Sequence, residues 1–561
     1  MSTTKNIDYV PFHLPKAPAL EWEMHYDDPC SFYTHPAQLA AIAQMTGHTP
    51  PSIETARILE IGSAVGGNLN VIAATLPNSE CVGIDPFEAQ VVEARKKAQQ
   101  SGLNNVSYFP IGIEELSKKF GQFDYIIGHG VFSWINQEAR QATLHTCAQA
   151  LSPNGLGYLS YNTYPRWYVN QLSRSLMRWR IRHLKGNEDL AHRARSIIKL
   201  FGHQASPLGI INPRAYFKKK SEYLASKPDY YLVHEYLLEQ NTPFHFHEFI
   251  QFLAGLFSEE DPDQTGLTYL SDASLNTELA HFAFDNKSHI KSIESISPNR
   301  LAFEEMLDHL FHRGIRRSIF ARSSSTSAQL VSSCNLSDES IQHHIGITPR
   351  YQNGEVKRSY SFSDFESIWI HSSFEYKDQV QSSNMYSYFQ HRHQDLSIET
   401  HSTEQSSILL ILSASWPHSI LVHQCIDYAQ EMYSTLTSKV APSKETFLKA
   451  LHQCLYFEWI APPRISSSLV IDNLDQVQYP QIIPTLLGVT PLSLKAPVSN
   501  LYHDLVKLSN HLQSLVPHLD GKHTRSQLAD LAFPAESKEE AISLVQDALK
   551  EAHDKALLYK L

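Results

Sequence analysis

A chain of 561 residues with a formal charge of −11 has room for several domains with sizeable cores, and it carries no basic block to neutralise nucleic-acid phosphates. Its six cysteines are scattered without disulfide-framework or zinc-ligand spacing, which fits a reducing compartment. No apolar signal core lies between Met1 and Pro15, and the longest apolar run, Ile408 to Leu412, is too short to span a bilayer. These features lead us to expect a cytoplasmic protein with no membrane insertion and no nucleic-acid partner.

Residues 1–55 read as an entry segment, helical from Pro36 to Thr46, that either covers the cofactor as a lid or packs its helix on the sheet. Arg57-Ile-Leu-Glu-Ile61 then reads as a buried strand that runs into a glycine turn and a helix starting near Asn68. Gly62 lets the backbone leave the strand with unusual dihedrals, while Gly66 and Gly67 leave the main chain open to a ligand. The pattern Glu60-x-Gly62-x-x-x-Gly66-Gly67 is not the dinucleotide fingerprint, and no Lys-Ser/Thr pair follows it as in a phosphate-binding P-loop. A carboxylate just before the first glycine suits a ligand with a positive charge and an amino group, which describes S-adenosylmethionine. A second strand, Cys81 to Ile84, ends in Asp85, and a carboxylate there can accept both hydroxyls of a ribose. Further strands are expected at Val106 to Phe109, Phe123 to Ile127 and Leu156 to Ser160, with helices over Gln90 to Ser101 and Gln137 to Leu151. Strands alternating with helices give a parallel, doubly wound α/β sheet with its ligand at the carboxyl ends of the strands.

Residues 166–228 read as a helical insertion in which Arg174, Arg178, Arg180 and Arg182 cluster. Such a run is a solvated face, or a surface for an acidic substrate or a second copy of the chain. Tyr230 to His234 and Gly266 to Asp272 are expected as strands six and seven, closing the catalytic domain (56–275) near residue 275. Residues 276–325 follow as a helical connector with an amphipathic helix over Leu301 to Phe320, then a mixed middle domain (326–465). The C-terminal domain (466–561) is expected to be helical and winged-helix-like, with helices at Leu501 to Leu515, Thr524 to Ala532 and Lys538 to Lys555. His245-Phe-His247-Glu248 raises the question of a metal. Two histidines at i and i+2 of a helix point apart and no third ligand is evident, so none is expected.

Several blocks carry a family resemblance. They are Thr34-His-Pro36, Leu59-Glu-Ile-Gly-Ser-Ala-Val-Gly-Gly-Asn68, Val82-Gly-Ile-Asp85, Phe123 to Trp134 (ending His-Gly-Val-Phe-Ser-Trp), Ser160-Tyr-Asn-Thr-Tyr-Pro165 and His234-Glu-Tyr-Leu237. Weaker matches lie at Arg313 to Arg317 and Leu519-Asp-Gly521. Together they resemble the class I methyltransferases that carry a methyltransferase regulatory domain, and within them the rickettsial-type lysine methyltransferases of outer-membrane proteins. The resemblance implies a Rossmann-like seven-stranded sheet, a regulatory-domain motif over about 229–275 and S-adenosylmethionine as cofactor. It implies cofactor contacts from Glu60, Gly62, Ser63, Gly66, Gly67, Asn68, Asp85 and Gly128, with His35 in the lid. Many relatives place an aspartate where Gly112 stands, so Glu114 or a backbone carbonyl is expected to meet the adenine amino group. Relatives commonly show glycine at the position of Arg166, which puts the local turn in question.

The loops after strands four and five are where chemistry is expected. An amine accepts a methyl group only when neutral, and free lysine has a pKa of about 10.4. A desolvated aromatic pocket disfavours the ammonium, and ring faces stabilise a neighbouring cation by roughly 0.5–2 kcal/mol per contact. Tyr161, Tyr164 and His129 are therefore candidate catalytic or orienting residues. Phe132, Trp134, Asn162, Trp167, Glu235 and Tyr236 are candidate substrate contacts, although Phe132 also suits a plain core. The expected partner is a protein with accessible lysines, and a homodimer is left open. Two other functions compete, namely methylation of a small molecule or natural product and a non-catalytic S-adenosylmethionine sensor or scaffold.

Overall fold

A computed structural model describes residues 31–46, 48–116, 120–182, 189–205, 212–254, 266–274, 293, 296–297, 300–322, 351–352, 355–356, 368–380, 386–392, 396–456, 498–499 and 505–558. Its centre is a seven-stranded sheet in the order β3-β2-β1-β4-β5-β7-β6. The strands are β1 (Arg57–Ile61), β2 (Glu80–Ile84), β3 (Val106–Phe109), β4 (Phe123–Gly128), β5 (Leu151–Asn162), β6 (Leu267–Asp272) and β7 (Ile315–Arg322). The first five pair in parallel, and β7 runs antiparallel to both β5 and β6.

Both faces of the sheet are buried, as parallel strands require. One face meets α1 (Pro36–Met45), α2 (Gly67–Thr75) and α3 (Glu88–Gln100), and its core continues into Ile408, Val422 and Phe447 of the middle region. The other meets α4 (Gln137–Ala150) and α9 (Phe246–Ala254) across a layer rich in phenylalanine. In α1 only Gln44 is exposed, so this helix is a packed element of the core. The insertion after β5 is helical, as expected. It comprises α5 (Arg166–Arg182), α6 (Leu190–Gln204) and α7 (Pro213–Ala225), packed around their own apolar cluster.

Three expectations are corrected on the far side of the sheet. Tyr230 to His234 is not a strand. It lies in α8 (Asp229–Leu232) and a following π-helical turn (Val233–Leu237). The helix expected over Leu301 to Phe320 stops at Leu310 as α10 (Arg300–Leu310), His312 takes a positive φ of 49° and Gly314 precedes β7. The sheet therefore closes at Arg322, not near residue 275, and the supposed connector supplies the antiparallel strand between β5 and β6.

Burial of charge explains why the pattern misled. Arg316 is fully buried in β7, where periodicity reads it as a solvent residue. Its guanidinium donates to Asp308 Oδ2 at 2.8 Å and Glu304 Oε2 at 3.0 Å, both on α10, and stacks 3.6 Å from the Phe246 ring centre. Asp272, on β6, accepts from the Arg317 backbone N–H at 2.9 Å. Burial would raise its carboxyl pKa, but the Arg313 and Arg316 guanidinium groups hold it below the usual range.

The middle region combines an antiparallel sheet (Phe374–Val380, Tyr386–His391, Ser397–Thr400) with helices Thr403–Ser415, Val422–Thr437 and Lys444–Tyr456. At the C-terminus, Asn510–Leu515, Arg525–Ala532 and Lys538–Asp554 enclose a separate core, and Trp416 Nε1 donates to Asp554 O at 2.7 Å. The helix expected from Leu501 begins only at Asn510, after a short strand Leu505–Val506. Residues 501–504 lie outside the described residues. Among the described residues no helix is long and apolar enough to cross a membrane.

Candidate active site

The glycine turn leaves β1 as its sequence requires. Gly62 and Gly66 take φ values of +71° and +77°, conformations that cost an L side chain energy. A Cβ on Gly62 would also sit 2.5 Å from Val131 Cγ2, so this turn packs directly against the loop after β4. Gly62 and Ser63 donate their N–H groups to Ile84 O, and Gly67 opens α2.

Glu60 is buried at the end of β1 and accepts from Asn68 Nδ2 at 2.6 Å. The Asn68 carbonyl oxygen accepts from Thr34 Oγ1 at 2.9 Å and from Ser31 N at 3.2 Å. The segment before α1 is thus tied to the glycine turn through Thr34 and Asn68. Asp85 accepts from Ala64 N through one oxygen and Phe87 N through the other, each at 3.0 Å. Each oxygen keeps a lone pair for a ribose hydroxyl. Burial raises this carboxyl's pKa, against the pull of the two N–H groups. Ser63 Oγ is buried beside the turn and makes no hydrogen bond among the described residues. At β3, Glu114 Oε2 lies 2.7 Å from where a Cβ on Gly112 would stand. The Glu114 carboxylate therefore fills the space that a side chain at 112 would take. A buried hydroxyl without a partner and carboxylates at three strand ends fit S-adenosylmethionine, with its ammonium, ribose and adenine.

His35, placed among the cofactor contacts, does not belong there. It caps α1, with Nδ1 accepting from Ala37 N at 3.1 Å and Nε2 bonded to Thr75 Oγ1 at 2.9 Å. Thr75 gives its own proton to the backbone of its helix, so both ring nitrogens are committed to packing.

Gly128 ends β4. Beyond it, His129 Nδ1 lies 2.8 Å from the Tyr158 hydroxyl. Burial, with Arg317 nearby, pushes the His129 pKa down to about 3, so the ring is neutral at neutral pH. Gly130 N donates to Ser160 Oγ at 2.7 Å. Tyr158 and Ser160, neither of them among the expected site residues, thus hold the post-β4 loop, and Arg317 lies 3.9 Å from the ring of Tyr33.

Tyr161 points the other way. Its ring stacks on Phe249 at 4.4 Å and its hydroxyl pairs with Ser318 Oγ at 3.1 Å, within the core. Phe132 is also fully buried, among Phe244, Phe249 and Phe252. Phe132 takes the core place that its sequence also allowed, and Tyr161 is corrected to a core residue, for which strand alternation is the reason. Tyr158 and Ser160 share one face of β5 and Tyr161 takes the opposite one. Asn162 lies at the strand end, its backbone N–H donating to Ser133 Oγ and its Nδ2 to Asn241 Oδ1.

The remaining aromatic candidates gather past β5. Trp134 and Trp167 meet edge-on at 6.5 Å, and Trp167 lies 6.4 Å from Tyr236. Tyr164 is half-buried and stacks on Tyr168 at 4.0 Å and against His245 at 4.8 Å. Arg166 keeps the turn by donating Nε to His312 O at 3.0 Å. Behind Tyr236, Lys220 Nζ donates to the Tyr236 hydroxyl at 2.6 Å and to Asn170 Oδ1 at 3.1 Å. Burial pushes the Lys220 pKa down to about 8, with help from Arg166, and burial pushes Glu235 up to about 7.

The structure also answers the His245/His247 question differently. His245 precedes α9, so the helical period does not apply to the pair. Both rings lie beside Glu305 of α10, the third donor that was not evident in sequence.

A methyltransferase domain model matches residues 59–156, and a predicted methyltransferase regulatory domain model matches residues 228–322. The uncharacterized protein RP028 of Rickettsia prowazekii is 33% identical over 220 residues, covering 39% of this chain and 87% of that protein. RP789 of the same organism is 30% identical over 302 residues, 53% of this chain, and the match spans about half (51%) of its length. PKMT2 from Rickettsia typhi in complex with AdoHcy superposes with a TM-score of 0.71 at 20% identity, over 95% of this chain and 99% of that one. This likeness shows that the fold is shared along nearly the whole chain.

Proposed function

Because the chain belongs to the S-adenosylmethionine-dependent methyltransferases that carry a methyltransferase regulatory domain, we propose that it transfers methyl groups to lysine side chains of a protein substrate. The observation that carries the lysine reading is how the chain treats its own Lys220. That amine lies 4.6 Å from the Tyr236 ring centre and, with its pKa near 8, is far closer to neutral than a free lysine. Trp167 continues the same aromatic wall towards Trp134 and the loop after β4. A substrate amine drawn along this wall loses hydration and gives up its proton more readily, and the ring faces steady the cationic product.

The cofactor supplies an electrophilic methyl group on a sulfonium centre. Glu60 and Asn68 would hold its amino-acid end, Asp85 its ribose and Glu114 its adenine. Gly130, fixed by Ser160, and the neutral His129 shape the loop that faces the transfer position. Tyr164, half-exposed at the outer end of the wall, meets the incoming chain. A substrate from the outer-membrane surface proteins follows from the family resemblance.

The test is incubation with methyl-labelled S-adenosylmethionine and unfolded surface-protein fragments, read by mass spectrometry. We expect gains of one or more methyl units on lysine. Tight cofactor binding by calorimetry without any such gain would overturn the lysine reading in favour of a small-molecule substrate or a sensor.

A further inference from the structure

We propose that His245, His247 and Glu305 form a binding site for a divalent transition-metal ion of the zinc class. The residue between the two histidines, Phe246, is fully buried beneath Arg316, so the backbone turns both imidazoles to the same outer side. Their rings lie nearly parallel, 18° apart with centres at 5.4 Å. His247 Nδ1 is 2.9 Å and 2.7 Å from the two Glu305 oxygens, and His245 Nδ1 is 3.4 Å from Oε1. All three donor atoms fall within 4.8 Å of one another. Ligands bonded tetrahedrally at about 2.0–2.1 Å stand roughly 3.3 Å apart, so an ion would replace the proton between His247 and Glu305, widen that pair slightly and draw the more distant donors in. Two imidazole nitrogens and a carboxylate suit a borderline divalent cation better than calcium or magnesium, which prefer oxygen donors.

The surroundings carry the argument further. A ligating histidine characteristically gives its other ring N–H to a fixed acceptor. His245 Nε2 has such a partner in the Tyr168 hydroxyl, 2.9 Å away. The carboxylate is aimed in the same way, because Glu305 Oε2 accepts from the His247 backbone N–H at 3.2 Å. The His245 backbone N–H is held by Glu248 Oε2 at 2.7 Å. His309 stands one turn after Glu305 on α10, exposed, with its ring centre 6.2 Å from that of His245. Residues at i and i+4 share a helix face, so His309 is placed to swing in as a fourth ligand or leave that position to water.

The position gives the ion a consequence. His245 touches both Tyr164 and Tyr168, the stacked pair at the outer end of the aromatic wall. An ion at Nδ1 fixes Nε2 as the protonated nitrogen and locks its bond to Tyr168. Occupancy would therefore stiffen the mouth through which substrate enters.

The test uses the full chain stripped of metal with a chelator and titrated with Co2+, then with Zn2+. It needs no methyl transfer, so its outcome is separable from that of the proposed reaction. We expect one tight Co2+ per chain with a ligand-field absorption band that Zn2+ displaces. With 30 histidines in the chain, weak surface binding will persist in every variant, so the readout is the tightest site alone. His247→Gln and Glu305→Gln, made singly, should each weaken that site at least tenfold. Absence of the band in the wild type, or unchanged affinity in both variants, would overturn the proposal. His247 is 41% exposed, so its variant is expected to fold even if Glu305→Gln does not.

Discussion

The two sides of the sheet were built by different rules. On the cofactor side, each functional group comes from the end of one strand and the turn that follows it. Glu60 and Asn68 are eight residues apart, Asp85 bonds Phe87, and Glu114 lies over Gly112. On the substrate side, the contacts join distant segments: Asn162 with Asn241, Tyr161 with Ser318, Thr163 with Phe244, and His247 with Glu305. Local geometry specifies the first side, and the order in which β7 and α10 pack specifies the second. A glycine turn can change hosts as a unit, whereas a pocket assembled across more than a hundred residues depends on the layer behind it.

That layer gives the largest expected effect. Arg316→Ala takes from Glu304 and Asp308 the guanidinium they share, leaving Asp308 with Arg313, and breaking such a buried pair costs about 3–5 kcal/mol. The variant should unfold at clearly lower denaturant than the wild type. An unchanged midpoint would mean that β7 is held by its ladder alone and that the substrate side does not lean on this network.

A smaller effect is expected from the other side. Asp85→Ala removes a carboxylate that would accept charge-assisted hydrogen bonds from the ribose, a loss of about 3 kcal/mol or roughly 100-fold in cofactor affinity. Calorimetry with S-adenosylmethionine checks this, and the unfolding midpoint should move less than in Arg316→Ala. Wild-type affinity would place the ribose elsewhere.

This asymmetry also sets what could be read in the sequence. The strand–turn–helix order through β5 and the carboxylates after it were legible because each rests on a short pattern with one physical meaning. His35 was misjudged because a helix cap and a lid contact look alike until Thr75 is seen beside the ring. Strand β7 was hidden by Arg316, whose burial is a tertiary fact. Tyr161 could have been placed better, since its alternation with Tyr158 and Ser160 already puts it on the other face of β5. Glu305 could not, because no pattern links it to a histidine 58 residues away.

Tyr161→Phe turns that last distinction into a measurement. A core tyrosine loses only its bond to Ser318, about 1 kcal/mol, while the ring stays stacked on Phe249. Methyl transfer should persist with little change. Loss of transfer with unchanged stability would return Tyr161 to the reaction and blur the boundary between the two sides.

A pH-dependent effect is expected in the helical insertion, at Glu235 beside Lys220. Burial raises the Glu235 carboxyl from its ordinary 4.5 to about 7, and Lys220 limits the rise. The unfolded chain therefore gives up this proton near its ordinary value, while the folded chain keeps it until about 7. Between those two values the unfolded state binds fewer protons, so Glu235's contribution to stability, fully present below 4.5, declines as pH rises and is lost above about 7. Glu235→Gln removes the titration. Relative to the wild type it should gain stability steadily through that window and hold a constant advantage above it, on the order of 1–3 kcal/mol. Thermal unfolding of both proteins across the window reads the difference directly. A flat difference would mean that Lys220 and Glu235 ionise as an ordinary solvated pair. Burial behind Tyr236 would then not disfavour charge as the Lys220 reading requires, and the main physical support for lysine as the acceptor would weaken with it.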